Sequence, residues 1–296
     1  MTASPFAAIL QEMFDHFVGS KGAEGVWQRI ISEMPPHRVY IEAFLGAGVI
    51  LRRKRPAAIT IGVDADPAVI KMWRACPADY GEAAGAGPTF IYDDAISFLA
   101  ARRWEGGELV YADPPYLLTV RSCQRDYYRH EFCQPKQHQE LLRLLKSLPC
   151  MVMISGYHSA LYARELAGWR VVEIPSVNRR GKPTVEVLWC NFPRPAELHD
   201  YRYLGSNFRE RERINKRKRR WIARLARMDA LERGALLAAL QVASPFPAIR
   251  TATSETAMED PRDPLARIGD GGRALSPEMT SGAGVGIRTP AQTAAR

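Results

Sequence analysis

The chain has 296 residues, of which 46% are hydrophobic and 25% are charged, and its formal net charge is +9. This composition is typical of a globular protein with a sizeable core, and no apolar run reaches the roughly 20 residues that a membrane-spanning helix needs. The five cysteines are scattered and odd in number, which argues against a disulfide framework and predicts a reducing, cytoplasmic location.

Short apolar runs alternate with amphipathic stretches between positions 39 and 191, which predicts an α/β fold with helices covering a mostly parallel sheet. The runs are β-branched or apolar, as expected of strands buried on both faces. A helix is predicted to begin at Asp66-Pro67, and another spans 137–148, where leucines share one face. The predicted strands are residues 39–44, 59–64, 89–92, 109–112, 151–155, 171–174 and 185–190.

The character of the sequence changes after position 191. Residues 206–241 predict one or two basic amphipathic helices, with Ile214, Trp221, Leu225 and Met228 at helical spacing. From position 243 onward, small residues and proline dominate without periodicity, which predicts a disordered tail. The predicted domains are therefore an α/β domain at 1–197, a basic helical extension at 198–242 and a tail at 243–296.

The excess positive charge is concentrated in the predicted helical extension. Between Arg209 and Arg233 there are eleven Lys or Arg residues against four Asp or Glu, whereas from position 243 the two signs balance at six each. A basic cluster on one element favours a polyanionic partner, although a solvated helix face has the same composition. The densest run consists of Lys216, Arg217, Lys218, Arg219 and Arg220.

A glycine-containing turn follows the first predicted strand. Gly46 and Gly48 let the backbone turn tightly and approach a ligand at the carboxyl edge of the sheet. Leu51 stands where a dinucleotide-binding fingerprint needs its third glycine, which weakens an NAD interpretation. The next predicted strand ends at Asp64, and a carboxylate at that place can accept both hydroxyls of a ribose.

The fourth predicted strand leads into Asp113-Pro114-Pro115-Tyr116. An exocyclic amine on an aromatic base is a poor nucleophile because its lone pair is delocalised into the ring. Two acceptors that hold its two hydrogens favour pyramidalisation, and the Asp113 carboxylate and the Pro114 carbonyl can supply them. The prolines stiffen the loop, and Tyr116 offers a face on which an extruded base can stack. This pattern predicts methylation of a base amino group.

Together, these segments resemble the adenine-specific DNA methyltransferases related to the Dam methylase, particularly the short phage-type members, over residues 17–191. The resemblance implies a Rossmann-like methyltransferase that transfers a methyl group from S-adenosyl-L-methionine to the amino group of adenine in double-stranded DNA. It further implies a cytoplasmic location, in a bacterium or a phage-infected host, and direct transfer without a metal or a membrane partner.

The resemblance also assigns site residues. Lys21 would hold the methionine carboxylate of the cofactor, Asp64 its ribose and Asp94 its adenine amino group. The segments 153–157 and 186–191 resemble later strands of the same fold. The implied catalytic residues are Asp113, Pro114, Pro115 and Tyr116, and the implied cofactor-binding residues are Phe17, Lys21, Phe44, Gly46, Gly48, Asp64, Asp94 and Asp113.

The sequence departs from the family pattern in three places. Ala43 stands where proline is usual, and Phe17 stands where another aromatic residue is often seen. Little chain separates Asp94 from Asp113, so the recognition insertion of longer relatives is missing. Cations interleaved with aromatic residues suit phosphate contact and base stacking. We therefore expect DNA contacts from the basic run at 216–220 or from the loop at 117–135, which contains Arg121, Arg125 and Tyr128.

Three alternatives stay open at this point. The target could be the cytosine amino group, although those enzymes more often carry serine in place of Asp113. The substrate could be RNA, although no RNA-binding module is recognisable. The chain could also be an inactive relative that only binds DNA. The irregular spacing of His130, Cys133 and His138 does not predict a metal site.

Overall fold

In a computed structural model of the chain, residues 21–22, 25–75, 87–120, 132–177 and 181–243 are described. The described residues include seven strands, which form one sheet in the order β3-β2-β1-β4-β5-β7-β6. The strands are β1 Val39–Glu42, β2 Ile59–Asp64, β3 Thr89–Tyr92, β4 Glu108–Ala112, β5 Met151–Gly156, β6 Arg170–Val177 and β7 Pro183–Cys190.

Helices cover both faces of this sheet. On one face, Val26, Trp73 and neighbouring apolar side chains pack on Tyr40, Leu109 and Met153. On the other face, leucines centred on Leu141 pack on Ile41 and other strand residues. The α-helices within the described residues, whether or not they pack on the sheet, are α1 Val26–Ile31, α2 Val49–Arg53, α3 Pro67–Ala75, α4 Ala95–Ala101, α5 Pro135–Ser147, α6 Ala160–Glu165, α7 Phe208–Ala226 and α8 Ala230–Ala243.

The strand order reverses between β1 and β4. Both β2 and β4 pair with β1 in parallel, on opposite sides of it. The topological switch point therefore lies between β1 and β4. Strand β7 lies between β5 and β6 and is antiparallel to both. The sheet is therefore mostly parallel and Rossmann-like, as predicted, and ligands of such sheets bind beyond the carboxyl ends of the strands at the switch point.

All seven predicted strands are present, and the differences lie at their ends. Strand β1 ends at Glu42, two residues earlier than predicted, because the chain turns there and the Leu45 N–H donates to the Val63 carbonyl at 2.9 Å. Strands β6 and β7 are longer than predicted because they pair with each other over eight residues, from Arg170 opposite Cys190 to Val177 opposite Pro183.

Both predicted helix starts are present within a few residues. Helix α3 begins at Pro67, and the Asp66 carboxylate accepts from the Ala68 N–H at 2.8 Å. Helix α5 begins at Pro135, two residues earlier than predicted, and buries Leu141, Leu142 and Leu145.

The predicted basic segment forms two helices. Helix α7 begins after Asn207, whose side chain caps it by accepting from the Glu210 N–H at 2.9 Å. The described part of the chain divides into two compact units between Met228 and Asp229, and α8 lies in the second. No helix within the described ranges is long and apolar enough to cross a membrane. The tail predicted beyond position 243 lies outside the described residues.

Candidate active site

The turn after β1 requires its two glycines. Gly46 and Gly48 have φ angles of 44° and 54°, in the left-handed region that favours glycine. A Cβ on Gly48 would lie 2.3 Å from the Trp73 ring, and the Trp73 indole N–H donates to the Gly46 carbonyl at 2.9 Å. The space beside Gly48 is therefore filled by Trp73, which holds the turn in place.

Asp64 lies at the end of β2 and is tied to this turn. One of its carboxylate oxygens accepts from the Gly46 N–H at 2.8 Å, and the other accepts from the Asp66 N–H at 2.8 Å. The glycine turn and the acidic strand end, which the sequence predicted to act together, are thus in direct contact. A carboxylate oxygen can accept more than one hydrogen bond, so these contacts are compatible with the predicted ribose-binding role.

Asp113 follows the fully buried strand β4 at the same edge of the sheet. Its carboxylate lies 2.8 Å from the Lys21 ammonium, and the two side chains are only 16% and 6% exposed. Pro114 is buried, while Pro115 and Tyr116 are half-buried. The structure therefore brings together Lys21 and the Asp113–Tyr116 loop, although 92 positions separate Lys21 from Asp113 in the sequence.

A second carboxylate, which the sequence analysis did not select, completes this cluster. Glu186 Oε2 lies 3.1 Å from the Lys21 Nζ and accepts from the Tyr116 hydroxyl at 3.2 Å. The Lys21 ammonium also donates to the Tyr116 hydroxyl and lies 4.6 Å from the centre of the Tyr116 ring. We refer to Lys21, Asp113, Tyr116 and Glu186 as the charged cluster.

An aromatic pair borders the charged cluster. The rings of Tyr116 and Tyr157 meet edge to face, with centroids 4.7 Å apart. Tyr157 follows β5, the strand next to β4, and both rings are half-buried. Such an arrangement leaves the ring planes in a defined orientation, which a flat ligand needs if it is to stack on one of them.

Burial is the largest single influence on the pKa values of Lys21 and Asp113, but only at Asp113 does it set the direction of the shift. Burial alone would lower the pKa of Lys21, but the Asp113 and Glu186 carboxylates outweigh it and hold that pKa well above its usual value. Burial raises the pKa of Asp113 above its usual value even though Lys21 opposes the rise, and Glu186 adds to it. Close charge pairs of this kind are weakly screened by solvent.

A further acid is buried beneath the site. Glu42, at the end of β1, is 3% exposed and accepts from the Tyr40 hydroxyl at 2.8 Å. Burial is the main cause that raises the pKa of Glu42 to about 8, and the Asp113 charge adds to the rise. Glu42 stands four residues before Gly46 in the sequence but was not predicted to be a site residue.

Two other predicted cofactor-binding residues, Phe44 and Asp94, make contacts outside the charged cluster. Phe44 packs edge to face on Phe132, with ring centroids 5.3 Å apart. Asp94 is exposed and caps α4 by accepting from the Ser97 N–H at 3.0 Å. Phe17, and the proposed DNA contacts Arg121, Arg125 and Tyr128, lie outside the described residues.

The basic run at 216–220 forms part of α7, and all five of its side chains are exposed. Trp221, which was predicted to lie on an apolar face, is 52% exposed. Helix α7 therefore presents a strongly cationic surface.

Two of the three residues that were considered for a metal site, Cys133 and His138, are buried in the structure. His138 is fully buried and bonds to the Tyr162 hydroxyl and the Phe132 carbonyl, each at 2.8 Å. Cys133 is buried, and His130 lies outside the described residues. Among the residues that the structure describes, no group of three or more His, Cys, Asp or Glu side chains could hold a metal ion.

Comparison with known proteins finds no matching family model and no matching curated protein. Solved structures do match. They include yhhF of Escherichia coli, provisionally named a methyltransferase, which is 16% identical with a TM-score of 0.35 over 66% of this chain and 88% of that one.

Two further matches are named for S-adenosylmethionine chemistry. The SAM-dependent methyltransferase of Agrobacterium tumefaciens is 14% identical with a TM-score of 0.36, over 56% of this chain and 60% of that one. Magnesium protoporphyrin IX methyltransferase of Synechocystis PCC 6803, with bound SAM, is 13% identical with a TM-score of 0.36, over 63% and 80%. At these identities and TM-scores, the matches carry no information on the substrate. The fold is defined by the strand order of the sheet.

Proposed function

We propose that this chain is an S-adenosyl-L-methionine-dependent methyltransferase that modifies the exocyclic amino group of adenine in DNA. The observation that carries the proposal is the position of the Asp113–Tyr116 loop. It leaves β4 at the switch point, beside the β1 strand that leads into the glycine turn bonded to Asp64. One edge of the sheet thus combines features that suit a nucleoside-containing cofactor with features that suit an aromatic amine.

The residues at this edge fit S-adenosyl-L-methionine by their chemistry. Asp64 would bind the ribose hydroxyls, and the left-handed turn at Gly46 and Gly48 would keep the backbone close to the ligand. Lys21, whose ammonium contacts Asp113 and Glu186, would bind the methionine carboxylate. Asp94 would bind the adenine amino group of the cofactor. When bound, the cofactor supplies an electrophilic methyl group on a positively charged sulfur.

The charged cluster would prepare the target amine. Asp113 and the Pro114 carbonyl would accept the two amine hydrogens, so that the nitrogen lone pair points away from the base ring. The lone pair would form the new bond to the methyl carbon while the electron pair of the carbon–sulfur bond would go to sulfur. The nitrogen would then lose a proton to the Asp113 carboxylate, which would pass it to water. Tyr116 would stack on the base after extrusion from the duplex.

The DNA would be held largely by the exposed cations of α7. Five adjacent Lys and Arg side chains on one helix suit contacts to phosphates, which add affinity without base preference. The loop containing Arg121, Arg125 and Tyr128 is our proposed source of base recognition. This loop follows Tyr116 in the sequence and interleaves cations with aromatic residues, which suits base stacking and phosphate contact.

The test is to incubate the full chain with unmethylated duplex DNA and cofactor labelled in the methyl group, and then to digest the DNA to nucleosides. We expect label in N6-methyladenine only. Label in N4-methylcytosine would shift the target to the cytosine amino group. Transfer to RNA but not to DNA would replace the substrate class, and DNA binding without any transfer would identify an inactive DNA-binding protein.

A further inference from the structure

Glu186 reaches the site because of strand direction. Strand β7 is antiparallel to β5, so the first half of β7 lies at the edge where β4 and β5 end, and Val187 pairs with Gly156. The side chain of Glu186 is 14% exposed and contacts both Lys21 and Tyr116. It is the second carboxylate on the Lys21 ammonium, and the sequence analysis placed it only in a strand segment, at 186–191.

The charges of the cluster do not cancel. Lys21 carries one positive charge, and Asp113 and Glu186 each carry one negative charge when ionised, at 2.8 Å and 3.1 Å from the ammonium. Without Glu186, the Lys21–Asp113 pair would be neutral, and the ammonium would bind the Asp113 carboxylate alone. With Glu186, the cluster keeps a net negative charge, and the ammonium is shared.

We propose that Glu186 is a positioning residue for the methyl transfer, which binds Lys21 and the Tyr116 hydroxyl, so that the ammonium is shared and the Asp113 carboxylate stays available to the target amine. This inference rests on the proposed function. Methyl transfer places a positive charge on the amine nitrogen before the proton leaves, and a preorganised negative charge nearby stabilises that transition state. The bond from Tyr116 to Glu186 would also fix the tyrosine ring against Tyr157, in the orientation that a stacked base needs.

The first test separates charge from shape. Glu186→Gln keeps the size of the side chain and an acceptor for the Tyr116 hydroxyl but removes the negative charge. We expect kcat on unmethylated duplex DNA to fall by about a hundredfold, with little change in the Kd for the same DNA. Glu186→Asp keeps the charge at a shorter reach and should restore part of the activity. The matched control is Glu105→Gln, an exposed residue that pairs with Arg38 just before β1, and it should keep the parent kcat.

The second test needs neither cofactor nor DNA. The Asp113 carboxyl group is titrated by carbon-13 NMR in the ligand-free parent, in Glu186→Gln and in Glu105→Gln. Removing a like charge should lower the pKa of Asp113, because Glu186 contributes to its elevation. The same shift should move the acid limb of kcat to lower pH. Among the described residues, the other titratable groups whose electrostatics involve Asp113 are all unchanged in Glu186→Gln. They are Lys21, Tyr40, Glu42, Tyr111, Tyr116, Tyr157 and Tyr162.

The outcomes distinguish the two proposals. An active parent with a Glu186→Gln variant of equal kcat and an unshifted Asp113 pKa overturns the role of Glu186 and leaves the proposed function standing. An active parent in which Asp substitutes no better than Gln, with no shift in the pH profile, reduces Glu186 to a structural residue and also overturns it. A parent that transfers no methyl group to DNA or RNA contradicts the proposed function itself.

Discussion

The chain holds its cations in two contrasting environments. Lys21 is 6% exposed and contacts two carboxylates and a tyrosine hydroxyl, whereas the five cations at 216–220 are exposed on α7. A buried charge acts on its neighbours through nearly unscreened, short-range interactions, so its effect depends on geometry. An exposed run acts collectively on a polyanion and depends on salt. The difference separates a region suited to chemistry from one suited to binding.

The largest effect on activity should come from replacing a residue that contacts the buried Lys21. We predict that Asp113→Ala lowers methyl transfer by about a hundred- to a thousandfold, because the variant lacks one preorganised acceptor of the target amine. Cofactor binding, measured by calorimetry, should be largely retained, since the proposed role of Asp113 is on the target amine, with at most a secondary contact to the cofactor. Transfer at the parent rate by a folded Asp113→Ala variant would show that this carboxylate is not catalytic.

Much of the fold could be predicted because its signals are local. Each central strand is an apolar run buried on both faces, as in β4, and Asp66-Pro67 marks a helix start within two residues. The full length of β6 and β7 could not be predicted in the same way. The residues that the prediction left out include Val177 and Pro183, which are exposed and which belong to strands because they pair with each other. Pairing is a property of two segments and leaves little trace in either one.

The site residues differ in the same way: those that follow a predicted strand could be found from the sequence, and those placed by tertiary packing could not. The turn at Gly46 and the acid Asp64 were found because each directly follows a predicted strand, and the structure joins them by a 2.8 Å hydrogen bond. Glu186 was missed because its position depends on β7 being antiparallel, which the apolar pattern does not reveal. The contact of Trp73 with Gly48 was missed because it depends on where α3 packs, which the sequence pattern does not reveal either.

The DNA affinity that the exposed cations of α7 provide should depend on salt concentration. We predict that replacing Lys216, Arg217, Lys218, Arg219 and Arg220 with Gln weakens binding to all DNA sequences alike. The log–log slope of affinity against salt should flatten by about 0.9 for each phosphate that the variant no longer neutralises. Arg164→Gln, which removes an exposed cation on α6, is the control and should leave the parent slope nearly unchanged. Titrations at several salt concentrations measure both quantities, and an unchanged slope in the Gln variant would make the run a solvated surface only.

The contrast between buried and exposed charge can be sharpened with two glutamates that have no role in the site. Glu33 is 3% exposed and pairs with Arg29 and Arg170, each at 2.7 Å, whereas Glu105 is 66% exposed in its pair with Arg38. We predict that Glu33→Gln lowers the free energy of unfolding by about 2 kcal/mol, because it removes charge-assisted hydrogen bonds from a buried setting. Glu105→Gln should cost less than about 1 kcal/mol. Equal decreases in urea titrations would contradict the assignment of these two environments.

The smallest effect should come from the residues at the end of α8 and beyond. Cutting the chain after Gln241 removes the last two residues of α8 and the tail, in which six acidic and six basic residues balance. A segment without net charge gives little electrostatic gain on a polyanion, because the repulsion of its acidic residues offsets the attraction of its basic ones. We therefore predict that the truncated chain keeps the parent affinity for DNA, the parent salt slope and the parent turnover. A flatter salt slope after truncation would show that cations of the tail contact phosphates, and the binding surface would then extend beyond the basic run of α7.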